Sequence, residues 1–421
     1  MSEGVDTVGM DTPPRLAVDR LLDDRETRII VCCGAGGVGK TTTAAALGVR
    51  AAGRGRKAVV LTIDPARRLA QSMGIDSLDN TPRKVETVGA GDGELHAMML
   101  DMKRTFDEIV EAHADGERAR AILANPFYQS LSAGFAGTQE YMAMEKLGQL
   151  RARDDWDLII VDTPPSRSAL DFLDAPKRLG SFLDGKFIRV LMAPAKVGGR
   201  AGMKFLNVGM SMMTGTLSKL MGASLLKDVQ TFVAAMDTMF GGFRTRADAT
   251  FRLLQAPGTA FLVVAAPEAD ALREAAYFVE RLAAERMPLA GLVLNRVHGS
   301  GAAQLSAERA SAAAENLEEG GIVDQESGKA GLRDSGAEPT EPSEPTEGDT
   351  AVVDRITAGL LRLHAERMQV IAREQRTRDR FTSLHPEVAV AEVAALPGDV
   401  HDLAGLRAIG ERLAAGVPAG A

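Results

Sequence analysis

Thiols are almost missing from this 421-residue chain: its two cysteines, Cys32 and Cys33, are neighbours in sequence. Adjacent cysteines cannot close a disulfide without severe strain, so a disulfide framework is excluded, as is a zinc site built from several thiolates. A reducing, cytoplasmic setting is expected. Histidine is scarce too, and the six, at positions 96, 113, 298, 364, 385 and 401, nowhere show HxxxH or HExxH spacing. That removes a local histidine metal site, so any metal is expected to be held by oxygen. No run approaches 18 uninterrupted apolar residues, and the start, MSEGVDTVGMDTPPR, has neither the basic beginning nor the apolar stretch of a signal peptide. No segment is therefore expected to cross a membrane, and membrane contact is expected only indirectly. Positive charge is not in excess: 49 Lys and Arg against 57 Asp and Glu leave −8, which disfavours nucleic acid as a partner.

What the chain does have is a rhythm. Short apolar runs recur at Arg28 to Cys33, Lys57 to Ile63, Leu95 to Leu100, Asp157 to Val161, Ala260 to Ala265, Leu289 to Leu294 and Val388 to Val393, mostly separated by helical stretches. Runs that are continuous instead of alternating imply strands covered on both faces, hence an α/β fold with a doubly wound, mainly parallel sheet. Two segments break the rhythm. Eight of the 18 methionines fall between Met192 and Met239, where Leu206, Met210, Met213, Leu217 and Leu220, then Leu225, Val229, Phe232, Met236 and Met239, step by three and four. These are two amphipathic helices by spacing. The second break, Gly299 to Thr350, has no aromatic residue and contains AEPTEPSEPTEGDT, the composition of a disordered acidic loop. The expected organisation is a polar leader over 1–25, core over 26–176, a methionine-rich helical insert over 177–254, core again over 255–298, the acidic loop over 299–350, and a long helix, last strand and C-terminal helix over 351–421.

Chemistry concentrates after the first strand. Gly34-Ala35-Gly36-Gly37-Val38-Gly39-Lys40-Thr41 fits GxxxxGK[ST], following a predicted strand and opening a predicted helix. Glycines let successive backbone N–H groups point at phosphate oxygens, and the helix N-terminus adds partial positive charge. In such a loop Lys40 bridges the β- and γ-phosphates and the Thr41 hydroxyl ligates magnesium, with Thr42 next to it on the nucleotide side. A second carboxylate at the end of a neighbouring strand completes the pattern, and Asp162 of DLIIVDTPPS stands there. The P-loop NTPase fold, a nucleoside triphosphate and Mg2+ are thus the expected fold, substrate and metal.

With these residues in place, the sequence resembles the deviant-Walker P-loop ATPases, a group that includes ArsA-type anion-pump ATPases, tail-anchored-protein targeting ATPases, and the MinD and ParA positioning proteins. It is most similar to the ArsA branch. The match is carried by GAGGVGKTTTAAALG from Gly34, LTIDPARRLAQSMG from Leu61, VDTPPSRSALDFLDAP from Val161 and APEADALREAAYFVERLAAERMPLAGLVLNRV from Ala266. The resemblance implies that Asp64, after the second strand, orients the attacking water; a helix cap is the lesser alternative, because the same residue precedes Pro65 at a helix start. It implies that Asn295 hydrogen-bonds adenine, since no NKxD-type aspartate for guanine occurs. Pro397 after the last strand is either part of the adenine pocket or a simple turn.

Departures matter as much. Where the targeting branch has DTAPTGH, this chain has DTPPSRS from Asp162, which also looks like ParA relatives. The deviant loop normally begins KGGVGKT, with a lysine that reaches the partner's nucleotide across a dimer; here Ala35 replaces it. Loss of such a cation can cost 10³-fold or more in rate. The expected partner is therefore a paralogous subunit that keeps the lysine, with a slow homodimer as the alternative. The methionine-rich insert is either a groove for an apolar client protein or a packing face. The function so implied is a Mg-dependent ATPase that couples dimer closure to handling of a protein or membrane-associated partner. A MinD/ParA-like positioning ATPase and a weakly hydrolysing regulatory subunit are the rivals.

Overall fold

The computed structural model describes residues 13–63, 68–86, 93–126, 128–129, 138–164, 245–319 and 347–415. Among these residues eight strands form one sheet: β1 Ile29–Cys33, β2 Lys57–Thr62, β3 Arg83–Lys84, β4 Glu94–Met99, β5 Leu158–Asp162, β6 Thr259–Ala265, β7 Leu289–Val297 and β8 Val390–Ala394. Their order is β3-β4-β2-β5-β1-β6-β7-β8. Every pairing is parallel except that of β3 with β4. The seven apolar runs of the sequence are thus strands of a doubly wound sheet, as expected. β3 escapes such a reading because it has only two residues, both charged and exposed.

Continuity of the runs has a physical cause visible in β1. Ile29, Val31 and Cys33 enter one apolar core while Ile30 and Cys32 enter another on the opposite face. Successive side chains of a strand point to opposite faces, so a strand with two covered faces is apolar at every position. β5 divides the same way, with Ile159 and Val161 on one side and Leu158 and Ile160 on the other. The helices are α1 Val18–Asp23, α2 Lys40–Gly53, α3 Arg68–Ser72, α4 Met102–His113, α5 Gly116–Leu123, α6 Thr138–Arg153, α7 Ala269–Ala284, α8 Ala307–Glu318, α9 Glu347–Leu384 and α10 Leu403–Ala415, with a further helical stretch over 245–255. α2 and α10 pack together against one face; α4, α6 and α7 cover the other. Among the described residues no helix is long and apolar enough to cross a membrane.

Two segments differ from the sequence reading. Residues 13–25, taken as the end of a polar leader, are built into the fold: Leu16 N–H donates to the Val390 carbonyl at 3.0 Å, and Val18 and Leu22 are fully buried. The Arg56 guanidinium fastens this segment by donating to the carbonyls of Leu22, Asp24, Thr27 and Asp157. The stretch 299–350, taken as a disordered loop, contains α8. Ser306 caps that helix by accepting from the Arg309 N–H at 3.3 Å. Ala310 and Ala314 of α8, and Ala358 and Ala365 of α9, are buried. Alanines four and seven apart let two helices approach closely while adding almost nothing to the apolar content that marks a helix in sequence. Of the rest of that stretch, 320–346 lies outside the described residues. So does most of the methionine-rich insert; its last residues, from 245, are helical and place Ala247 and Leu254 in the core.

Candidate functional site

β1 ends in the middle of the sheet, and the chain must turn sharply to start α2. Gly34 has φ 146° and lies so near β6 that a Cβ there would sit 2.1 Å from the Val264 carbonyl oxygen. Gly37 and Gly39 have φ 75° and 94°, and Gly39 holds the left-handed position before Lys40, the first residue of α2. Those values suit glycine because it lacks a Cβ. Gly36 and Gly37 are exposed, and no atom lies within 4 Å of where a Cβ on Gly37 would be. The loop therefore presents its backbone to open space at the N-terminus of α2, the geometry that attracts anions. Val38 points inward and is buried. Lys40 is also buried, and its Nζ donates to the Ala35 carbonyl across the loop at 2.6 Å.

The strand register brings the second half of the site alongside. Asp162, last in β5, pairs with Cys32 of β1 and with Thr62 of β2. Its Oδ2 accepts from the Thr41 hydroxyl at 2.7 Å and from the Thr62 hydroxyl at 2.9 Å, and the residue is fully buried. Thr163 donates through its hydroxyl to the Cys32 carbonyl at 2.9 Å, tying the strand end to β1. A threonine hydroxyl and a carboxylate at this distance, beside a loop open to phosphate, suit a hard divalent cation that takes its other oxygens from phosphate and water. The residues thus fit magnesium. The two cysteines are not part of that chemistry. Burial first, and then the negative charge of Asp162, push the Cys32 thiol well up; burial pushes Cys33 up to about 12. Both remain protonated and inert.

On the other side of the loop, Asn295 of β7 donates from Nδ2 to the Val38 carbonyl at 2.9 Å, and a Cβ on Gly39 would stand 2.2 Å from that nitrogen. Asn295, Thr42 and Gly39 line a cavity of about 470 Å3 together with Pro397, Asp399 and Arg296. That volume suits a small molecule. The pairing of β7 with β8 shifts register between Asn295 and Val297, and Arg296 in the bulge has φ 62°. Bulges of this kind re-aim side chains at the end of a strand. Arg296 and Asp399 carry no signal in sequence, since only the fold brings them to the cavity.

The structure therefore gathers Gly34, Gly36, Gly37, Val38, Gly39, Lys40, Thr41, Thr42, Asp162, Asn295 and Pro397 at the carboxyl ends of the parallel strands. Asp64 lies outside the described residues. Its approach is held by a residue the sequence does not flag: Gln139 of α6 donates from Nε2 to the carbonyl of Ile63 at 3.0 Å.

A parallel sheet with a glycine loop, Lys-Thr and an aspartate on the adjacent strand defines the P-loop class of nucleoside triphosphatases. Within it, the model of the anion-transporting ATPase family matches residues 27–317, and the chain belongs to that family of ATPases. Relatives agree. The chain is 31% identical to the ATPase GET3 of Malassezia globosa over 173 residues, 41% of this chain and 49% of that one. It is 26% identical to the ATPase GET3 of Podospora anserina over 296 residues, 69% of this chain and 80% of that one. A putative arsenical pump-driving ATPase of Halobacterium salinarum is 28% identical over 204 residues, 46% of this chain and 31% of that protein. The chain thus spans about half the length of the Malassezia relative and most of the Podospora one.

Proposed function

We propose that this protein is a cytoplasmic, Mg-dependent ATPase whose nucleotide cycle closes a dimer and drives the handling of a protein or membrane-associated partner. The observation that carries the reading is the Thr41 hydroxyl donating to Asp162 at 2.7 Å beside a glycine loop open to phosphate. In this reading the loop amides and Lys40 hold the β- and γ-phosphates, and Asn295, with Pro397 across the cavity, receives adenine. Thr41 and Asp162 hold magnesium, which when bound neutralises charge developing on the transferred phosphoryl group. Asp64 orients the attacking water, and Gln139 fixes the strand end from which Asp64 departs.

Ala35 sets the partner. Its backbone carbonyl already accepts from Lys40, and its methyl offers no charge to a nucleotide on another subunit. A paralogous subunit with lysine at that position restores the missing cation; alone, the chain turns over slowly.

Steady-state ATP hydrolysis of the full chain tests the whole reading. Lys40→Ala should abolish nucleotide binding, whereas Asp64→Asn should retain binding and lose at least 100-fold in turnover. Ala35→Lys should raise turnover of the lone chain tenfold or more. Binding that survives Lys40→Ala, or turnover indifferent to both Asp64→Asn and Ala35→Lys, would overturn it.

A further inference from the structure

His298 has no part in the cycle described so far, yet it stands at the nucleotide cavity. It follows β7 directly, past the register shift that turns the strand end after Asn295. The residue lines the cavity of about 470 Å3 beside Asn295 and Pro397, and it also lines a smaller one of about 110 Å3 against α9, where Glu374 and Arg378 stand. Glu374 takes both N–H groups on that side: one oxygen accepts from the His298 backbone N–H at 3.0 Å, and the other lies 2.5 Å from Nδ1. The Glu374 side chain is only 13% exposed, the imidazole 42%. Arg378, the neighbouring cation, is paired with Glu392, which leaves the Glu374 carboxylate to His298.

That pairing decides what the ring offers. An ionised carboxylate only accepts, so the hydrogen between the two groups sits on Nδ1. In the neutral ring Nε2 then keeps a lone pair and no hydrogen, a tautomer fixed by the carboxylate. Nε2 has no hydrogen-bond partner among the described residues, and with Nδ1 turned to α9 it is the polar side-chain atom that His298 has for the nucleotide cavity. An acceptor does not suit phosphate, whose oxygens also accept. It needs an N–H or O–H, and ATP carries these in its nucleoside alone: the two ribose hydroxyls and the amino group of adenine. We propose that His298 Nε2, set as an acceptor by Glu374, takes a hydrogen bond from one of these nucleoside donors and so helps to select the nucleotide. Glu374 is the positioning residue. The inference rests on the nucleotide site proposed above, and it extends that site to a helix beyond residue 317, where the family match ends.

Equilibrium binding of ATP, 2′-deoxy-ATP, 3′-deoxy-ATP and purine riboside triphosphate to the full chain at pH 8 tests this. An asparagine amide can stand where Nδ1 stands, so His298→Asn keeps the bond to Glu374 and deletes Nε2. It should weaken ATP about fivefold, the worth of one hydrogen bond, with the melting temperature unchanged. The analogue that lacks the contacted donor should bind the wild-type chain about fivefold more weakly than ATP, and His298→Asn should remove that penalty, which names the donor. In Glu374→Gln the amide oxygen still accepts from the backbone N–H while its nitrogen donates to Nδ1, which moves the ring hydrogen to Nε2. That variant should weaken ATP as much as His298→Asn does. Nitrogen-15 spectra of the ring should show the hydrogen on Nδ1 in the wild-type chain and on Nε2 in Glu374→Gln, a change that mere loss of support for the strand end would not produce. ATP affinity indifferent to either variant, analogue penalties equal in the wild-type chain and His298→Asn, or a wild-type ring with its hydrogen on Nε2 would each overturn the proposal. Lys40→Ala separates the two levels: if it abolishes binding while the His298 variant does not matter, only this proposal falls, and if it leaves binding intact, the nucleotide site falls and this proposal with it.

Discussion

Asp162 shows how few atoms the site depends on. One of its carboxylate oxygens takes hydroxyls from two chain segments, Thr41 at the start of α2 and Thr62 at the end of β2, so the loop and two strand ends share one acceptor. Gly34 is equally unforgiving. With the Val264 carbonyl 2.1 Å from where a Cβ would stand, Gly34→Ala must push β1 away from β6 or distort the loop. The variant should lose about 2 kcal/mol or more of stability, seen in urea melts, and most of its nucleotide affinity. Gln139 acts on a different quantity. Its amide fixes the Ile63 carbonyl immediately before Asp64. Gln139→Leu keeps the bulk but removes the donor; it should slow turnover about tenfold with nucleotide affinity nearly unchanged, a split that kinetics and equilibrium binding measure separately.

Among the elements, the α8–α9 pair is the most distinctive. Its contact is built from alanines, with Ala358 and Ala365 fully or nearly fully buried. At the rim, Arg362 pairs with Glu318, and His364 Nε2 lies 2.8 Å from the Leu305 carbonyl. Ala365→Leu therefore overpacks an interface without room. It should cost about 1–3 kcal/mol, measured by chemical denaturation. Farther along α9, Glu374 accepts from the His298 backbone N–H at 3.0 Å, and its other oxygen lies 2.5 Å from His298 Nδ1. His298 also lines the cavity at Asn295. The long helix is thereby fastened to the strand end that carries Asn295.

For the molecule as a whole, pH acts on stability through a sheet edge distant from the nucleotide site. The His96 ring packs edge-on to Trp156 with centroids 4.6 Å apart, and its Nδ1 has no hydrogen-bond partner among the described residues. Burial is the main reason its pKa is lowered from 6.5; Lys57 and Lys84 add to the effect and Glu94 opposes it. Above pH 6.5 both the folded and the unfolded chain hold this ring mainly neutral, so its burial involves no charge. As the pH falls below 6.5 the unfolded chain takes up a proton that the fold resists, so stability declines with acidification. His96→Phe should flatten the change in melting temperature between pH 7 and pH 5.5. Much of the architecture was legible in the sequence: the central strands, because burial on both faces forces continuous apolar runs; the phosphate loop, because its glycines and Lys-Thr are local; and Asp162, because it ends a strand. The amino-acid sequence by itself determined these, since each is set by neighbours along the chain. Only the tertiary structure decided that residues 13–25 belong to the core, that Ala307–Glu318 is a helix, and that Asn295, Arg296, Pro397 and Asp399 share one cavity. Those facts depend on contacts between distant segments, where small residues and strand order, not local pattern, set the energy.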